Sequence, residues 1–107
     1  MPEKPHEADV VLPESEARRM AATVPAWTYL GTRLEREVSF ASFSEAMAFV
    51  NRVATVAEQM DHHPDMHIAY RQVRFVLSTH KAGGLTAADF RLAAEIDRLL
   101  GQPGDAS

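Results

Sequence analysis

Cysteine is absent from the 107 residues. A disulfide framework, a thiolate metal site and a cysteine nucleophile are therefore excluded, and any chemistry rests on histidine, carboxylate or hydroxyl groups. Long apolar runs are missing as well. No stretch approaches the roughly 20 residues that cross a bilayer, so no membrane-spanning helix is expected. Positive charge is in deficit, with 11 Lys+Arg against 15 Asp+Glu and a formal net charge of -4. The basic surface that usually marks a nucleic-acid binder is thus lacking, and no nucleic-acid partner is expected. The opening MPEKPHEADV has no basic stretch leading into an apolar one. No secretory signal is read there, and a cytoplasmic location is expected. There is no internal repeat and no low-complexity tract.

What is present suits one folded domain, given a prior of about 150 residues per domain. Residues 1–12 are polar, proline-containing and without periodicity, and 102–107 are small and turn-forming, so they are expected to form a disordered and a flexible tail around a domain over 13–101. Pro13 followed by ESEARRMAA predicts a short helix that stops before Pro25. AWTYLG and TRLEREVSF read as two strands around a Gly31-Thr32 connection. In the second, Leu34, Val38 and Phe40 share a face that also receives Arg36, which is expected to snorkel at the sheet edge.

From Ser42 or Ser44 the period becomes helical, with Phe43, Ala46, Phe49, Val50, Val53, Ala57 and Met60 forming one stripe. This helix should end near Asp61-His62, because Pro64 pushes His63 out of the α region. Met66 to His80 reads as extended chain with a turn near Arg71, and Val73, Phe75 and Leu77 alternate with Arg74, Val76 and Ser78. After Gly83-Gly84, Thr86 and Asp89 have capping-box spacing, with Leu85 and Phe90 as a hydrophobic staple. The last helix carries Leu92, Ala93, Ile96, Leu99 and Leu100. The predicted fold is α+β: a four-stranded, mostly antiparallel sheet with three helices on one face. Val76, Tyr29 and Trp27 are expected to leave the other face or an edge partly apolar, which favours self-association.

Four of the five histidines lie between Glu58 and Asp89. Imidazoles can donate and accept protons at neutral pH without a metal or cofactor, which is what a dehydratase or isomerase needs. Glu58 and His62 are four residues apart, so the carboxylate is expected to take a hydrogen bond from the ring and favour its cationic form. Asp89 is expected to serve as a capping residue and to hold His80. A metal site built from His62, His63, His67 and His80 with Asp61, Asp65 or Glu58 is disfavoured. Pro64 breaks the helical geometry that the His63/His67 spacing would require, and His67 reads as an exposed strand residue.

Glu58-xxx-His62-His63-Pro64, then Tyr70, His80, Gly83-Gly84-Leu85-Thr86 and Asp89, together with Trp27 and the Phe40-x-x-Phe43-x-x-Ala46 segment, resemble the signature of the pterin-4a-carbinolamine dehydratases. The resemblance covers roughly residues 25–97. It implies a cofactor-free, homodimeric or homotetrameric enzyme that removes water from a 4a-hydroxytetrahydropterin. The product is the quinonoid dihydropterin, and the reaction recycles the cofactor of aromatic amino acid hydroxylases. It further implies His62, His63 and His80 as catalytic groups, with Glu58, Asp61, Pro64 and Asp89 supporting them or binding substrate. The chain departs from the family pattern at Met66, where an aromatic residue is usual, and at Lys81, where an Asp is. The same resemblance implies two alternatives: a dimerisation module for a transcription factor, or action on a molybdopterin-type pterin.

Overall fold

The computed structural model describes residues 10–101. Its elements run α1 (Glu14–Ala21), β1 (Thr28–Tyr29), β2 (Leu34–Ser39), α2 (Phe43–Met60), β3 (Asp65–Ala69), β4 (Gln72–Leu77), a 3-10 turn (His80–Ala82) and α3 (Ala87–Gly101). The four strands form one antiparallel sheet in the order β1-β2-β4-β3. The expected α+β architecture is therefore present. The parts of the expected tails at 1–9 and 102–107 lie outside the described residues. Val11 and Leu12, assigned to the N-terminal tail by sequence, are instead held by the fold: Val11 bridges Thr86, and the Leu12 amide donates to the Leu85 carbonyl at 2.9 Å.

The ladder explains the core. Leu34 lies opposite Leu77, Arg36 opposite Phe75 and Val38 opposite Val73, so the two central strands present one apolar face. Because side chains alternate along a strand, Glu35, Glu37, Arg74 and Val76 turn the other way. The apolar face packs against Phe49, Val50 and Val53 of α2, Leu92, Ala93 and Ile96 of α3 and Ala17 of α1. Phe49 meets Phe75 edge-on at a centroid distance of 5.9 Å and tilts against Phe40 at 5.3 Å. The α2 stripe read from the sequence is the face buried here. Ser42 caps that helix, its hydroxyl accepting the Glu45 amide at 3.1 Å.

Two expectations about the sheet are corrected. Arg36 does not snorkel at an edge, because β2 is an inner strand. Its guanidinium instead reaches Asp97 Oδ1 on α3 at 2.5 Å, and the same oxygen accepts the Trp27 indole N–H at 2.8 Å. A half-buried cation on the apolar side is thus neutralised and anchors α3 to the sheet. The outer face is also less apolar than expected. Tyr29 lies opposite Leu34 on the core side and Trp27 is buried, which leaves mainly charge outside. There Arg33 hydrogen-bonds Glu35 and, with Arg74 nearby, holds that carboxyl below its ordinary value. The Gly31-Thr32 connection is closed by the Leu30 amide donating to the Arg33 carbonyl, and Gly31 takes the left-handed φ of 82° that such a turn requires.

Candidate active site

The site begins where α2 stops. Asp61 adopts φ 51°, its amide donates to the Glu58 carbonyl at 3.2 Å, and the His62 amide donates to the Ala57 carbonyl at 3.0 Å. This paired termination is a Schellman motif with Asp in the left-handed position that glycine usually fills. Asp tolerates that conformation better than most residues because its short polar chain bonds locally. The turn swings His62 inward against the fold and leaves His63 outside. Pro64 then keeps His63 extended and delivers the chain into β3. Asp61→Gly is expected to keep this turn, whereas Asp61→Val should destabilise the domain by about 1–2 kcal/mol by forcing a β-branched residue to positive φ. Urea unfolding of both variants checks the point, and equal stabilities would contradict it.

Three histidines are paired with three different carboxylates. His62 is 8% exposed, and its Nε2 lies 2.6 Å from Oδ1 of Asp89, which is fully buried. His63 Nε2 bonds Glu58 Oε2, with the His63 side chain 56% exposed. His80 Nε2 lies 3.7 Å from Asp65 Oδ2, its side chain 83% exposed, and Ser78 Oγ is 3.5 Å from the same nitrogen. Both partnerships read from the sequence are therefore corrected by one position. Glu58 meets His63 rather than His62, because the left-handed turn ends the helical spacing before His62. Asp89 meets His62, and on the His80 side it meets the preceding residue, Thr79.

Asp89 is the hub of the site. Its Oδ2 accepts the Thr79 hydroxyl at 2.8 Å and the Thr86 amide at 2.9 Å, and the Thr79 and Thr86 hydroxyls are 3.0 Å apart. The Asp89-to-amide half of the predicted capping box thus forms, while the Thr86 hydroxyl turns to Thr79. The carboxylate also sits in the first turn of α3, where the helix dipole favours negative charge. Leu85 and Phe90, the predicted staple, are both buried in the core. An antiparallel bridge between Thr79 and Gly84 closes the intervening loop, and Gly83 turns it at φ 83°. Gly84 is needed for close approach: a Cβ there would stand 3.2 Å from a Val11 methyl.

The seven groups form one connected set. Glu58 touches His63, His63 follows His62, His62 touches Asp89, Asp89 touches Thr79, Thr79 precedes His80 and His80 reaches Asp65. His62, His63, His80, Glu58 and Asp89 lie in this set, while Asp61 stands beside it as the turn residue and Pro64 as the spacer. Asp65, Thr79 and Thr86 are additions to the predicted set. The signal for Asp65 was the strand register: it lies opposite Val76, on the face that Ser78 continues. Met66 faces the other way, opposite Phe75 and half-buried against the core, and Lys81 is exposed on the 3-10 turn. His67 is exposed on β3, as expected. Among the described residues no group of three or more His, Asp or Glu is placed to hold a metal ion, and no helix is long and apolar enough to cross a membrane.

Such a set can move protons in two settings. The pair behind His62 is shielded from water, so its geometry is firmly held. The pairs at His63 and His80 face solvent, where such pairs contribute little stability and a ligand can reach the rings. The set fits acid–base chemistry on a ligand that approaches from the exposed side.

Comparison with known proteins gives the same direction. A relative from Acidobacterium capsulatum, named "Putative pterin-4-alpha-carbinolamine dehydratase", is 53% identical over 79 residues, covering 74% of this chain and 86% of its own. A relative of the same name from Chromobacterium violaceum is 39% identical over 99 residues, 92% of both chains. The crystal structure of a transcriptional coactivator/pterin dehydratase from Brucella melitensis superposes with a TM-score of 0.79 at 31% identity, covering 83% of this chain and 97% of that one. A pterin dehydratase-like RuBisCO assembly factor of the alpha-carboxysome shares the fold, with a TM-score of 0.58 at 23% identity over 72% of this chain and 89% of its own. The profile of the family described as pterin 4 alpha carbinolamine dehydratase matches residues 10–99, the span that contains every group above. With its whole histidine–carboxylate set inside that span, the chain belongs to the pterin-4a-carbinolamine dehydratase family.

Proposed function

We propose that this protein eliminates water from a 4a-hydroxytetrahydropterin by histidine acid–base catalysis and so recycles a tetrahydropterin cofactor. The observation that carries the reading is the set of three histidines, each with its own carboxylate: His62 with Asp89, His63 with Glu58 and His80 with Asp65. In the reaction the C4a–O bond breaks, the adjacent ring nitrogen loses its proton, a C=N bond forms and the hydroxyl leaves as water after gaining a proton. One donor and one acceptor suffice, and no redox partner is needed. His62 and His63 stand as donors to the departing hydroxyl. His80, set by Asp65, stands as the acceptor or ring-binding group.

The physiological setting follows the same reading. The enzyme acts in the cytoplasm beside an aromatic amino acid hydroxylase and works as a homodimer or homotetramer. Assembly would cover Phe43, Ile68 and Tyr70, which are 49%, 41% and 69% exposed in the single chain.

The decisive experiment follows the ultraviolet decay of a 4a-hydroxytetrahydropterin generated by an aromatic amino acid hydroxylase. Wild-type protein is expected to accelerate the decay. His63→Ala and His80→Ala should each reduce turnover by about 10²-fold, the lower range for one acid or base. Because both side chains are exposed, neither substitution should lower stability by more than about 0.5 kcal/mol. Full activity in both variants would end the assignment. No acceleration by wild-type protein would move the reading to a molybdopterin-type pterin or to a binding role.

A further inference from the structure

We infer that Thr79 and Thr86 are positioning residues whose hydroxyl relay commits the Nε2 proton of His62 to Asp89, leaving Nδ1 as the atom through which His62 exchanges protons with its ligand. Each group in the relay has a fixed number of hydrogens to give. An ionised carboxylate only accepts hydrogen bonds, a backbone amide only donates, and a hydroxyl donates one. Asp89 Oδ2 receives the Thr86 amide and the Thr79 hydroxyl. Having given its proton to Asp89, Thr79 Oγ1 can only accept from Thr86 Oγ1, so the relay runs Thr86 to Thr79 to Asp89 in one direction. Both donors stabilise the anion, and the remaining bond, on Oδ1, is supplied by His62 Nε2–H.

Nδ1 is in a different position. Among the described residues no hydrogen bond holds it, and His62 keeps 8% of its surface exposed, so Nδ1 is the ring nitrogen left for a ligand. Neutral His62 therefore accepts at Nδ1, and cationic His62 donates from Nδ1. Either way Nε2 stays bound to Asp89. Proton exchange with a ligand rests on the dehydratase reading, whereas the tautomer does not.

The test uses ¹⁵N-labelled full-length protein and long-range ¹H–¹⁵N correlations of the imidazoles, recorded where the rings are neutral. His62 should show a protonated Nε2 and an unprotonated Nδ1. Thr79→Val, which keeps the shape and removes one of the two donors that hold Asp89 as an acceptor, should shift the His62 Nε2–H resonance and lower kcat about 10- to 100-fold, with KM within about twofold. Thr79→Ser, which keeps the hydroxyl, should restore both the spectrum and kcat. A protonated Nδ1 in neutral wild-type His62 would overturn the inference even if Thr79→Val failed to fold. So would a Thr79→Val protein with wild-type spectrum and kcat. An Nε2–H tautomer in a protein inert toward 4a-hydroxytetrahydropterins would uphold the relay and sink the dehydratase reading alone.

Discussion

Asp89→Asn is expected to cut turnover by about 10²–10⁴-fold while leaving a folded protein that is about 1.5–3 kcal/mol less stable. The amide must choose which side its nitrogen faces. Turned toward Oδ2, it would confront two donors, the Thr79 hydroxyl and the Thr86 amide. The second of these cannot reverse. The favoured arrangement therefore places the amide oxygen there and aims the NH₂ group at His62 Nε2, which lies 2.6 Å from the Oδ1 position. His62 can accept that hydrogen bond only by moving its own proton to Nδ1. Holding the ring in place with the wrong nitrogen protonated is a severe loss for an acid–base site, as catalytic triads illustrate. Urea unfolding together with the hydroxylase-coupled assay separates the two effects. Unchanged turnover would remove Asp89 from the site.

Phe75→Ala should remove about 3–5 kcal/mol, the usual range for emptying a buried aromatic position. Phe75 is fully buried at the centre of β4 and packs edge-on against Phe49 of α2. Its ladder neighbours are Arg36 and Met66, neither of which can move into the gap without leaving its own contacts. For a domain whose total stability is of order 5–15 kcal/mol, such a loss lowers the melting temperature by at least about 12 °C. Activity should fall with the folded fraction, since β4 runs directly into Thr79 and His80. Leu30→Ala is the control: that residue lies in the β1–β2 turn, is 42% exposed and should change stability by less than about 1 kcal/mol. Thermal melts of the two variants make the comparison, and a Phe75→Ala loss below about 1 kcal/mol would contradict the packing described.

Much of this was legible in the sequence because it depends on local period. The stripe of α2 and the alternation of β4 are set by which residues must leave water, and both appear where the pattern places them. The histidines and carboxylates were legible as a group for a similar reason: chemistry-bearing residue types are conspicuous when four of five histidines fall in one segment. Their partnerships were not. Spacing rules assume that the element continues, and α2 stops one residue before His62 by turning left-handed at Asp61, a conformation that an Asp permits but does not announce. Arg36 was misplaced because the position of β2 inside the sheet depends on pairing with the distant β4, and the arrival of Asp97 beside it on a contact across 61 residues. The role of Thr79 was hidden behind its neighbour. His80 looked like the functional residue of that pair, and only the path of the loop shows which side chain turns inward.

The hairpin of β3 and β4 joins the two halves of the site, with His62 and His63 before it and Thr79 and His80 after it. Its register sets Asp65 across from Val76 and Ala69 across from Gln72, so the outgoing and returning arms are of equal length. In effect it is a ruler folded in half, whose two ends meet only if both halves carry the same number of marks. Residues added beyond Ala69 and Gln72, at the Tyr70-Arg71 tip, would lengthen the fold without moving the ends. One residue added to either arm would turn every later side chain to the opposite face. A change of length is therefore tolerated at the tip of the hairpin but not along its arms, although no residue in the arms beyond Asp65 takes part in the chemistry.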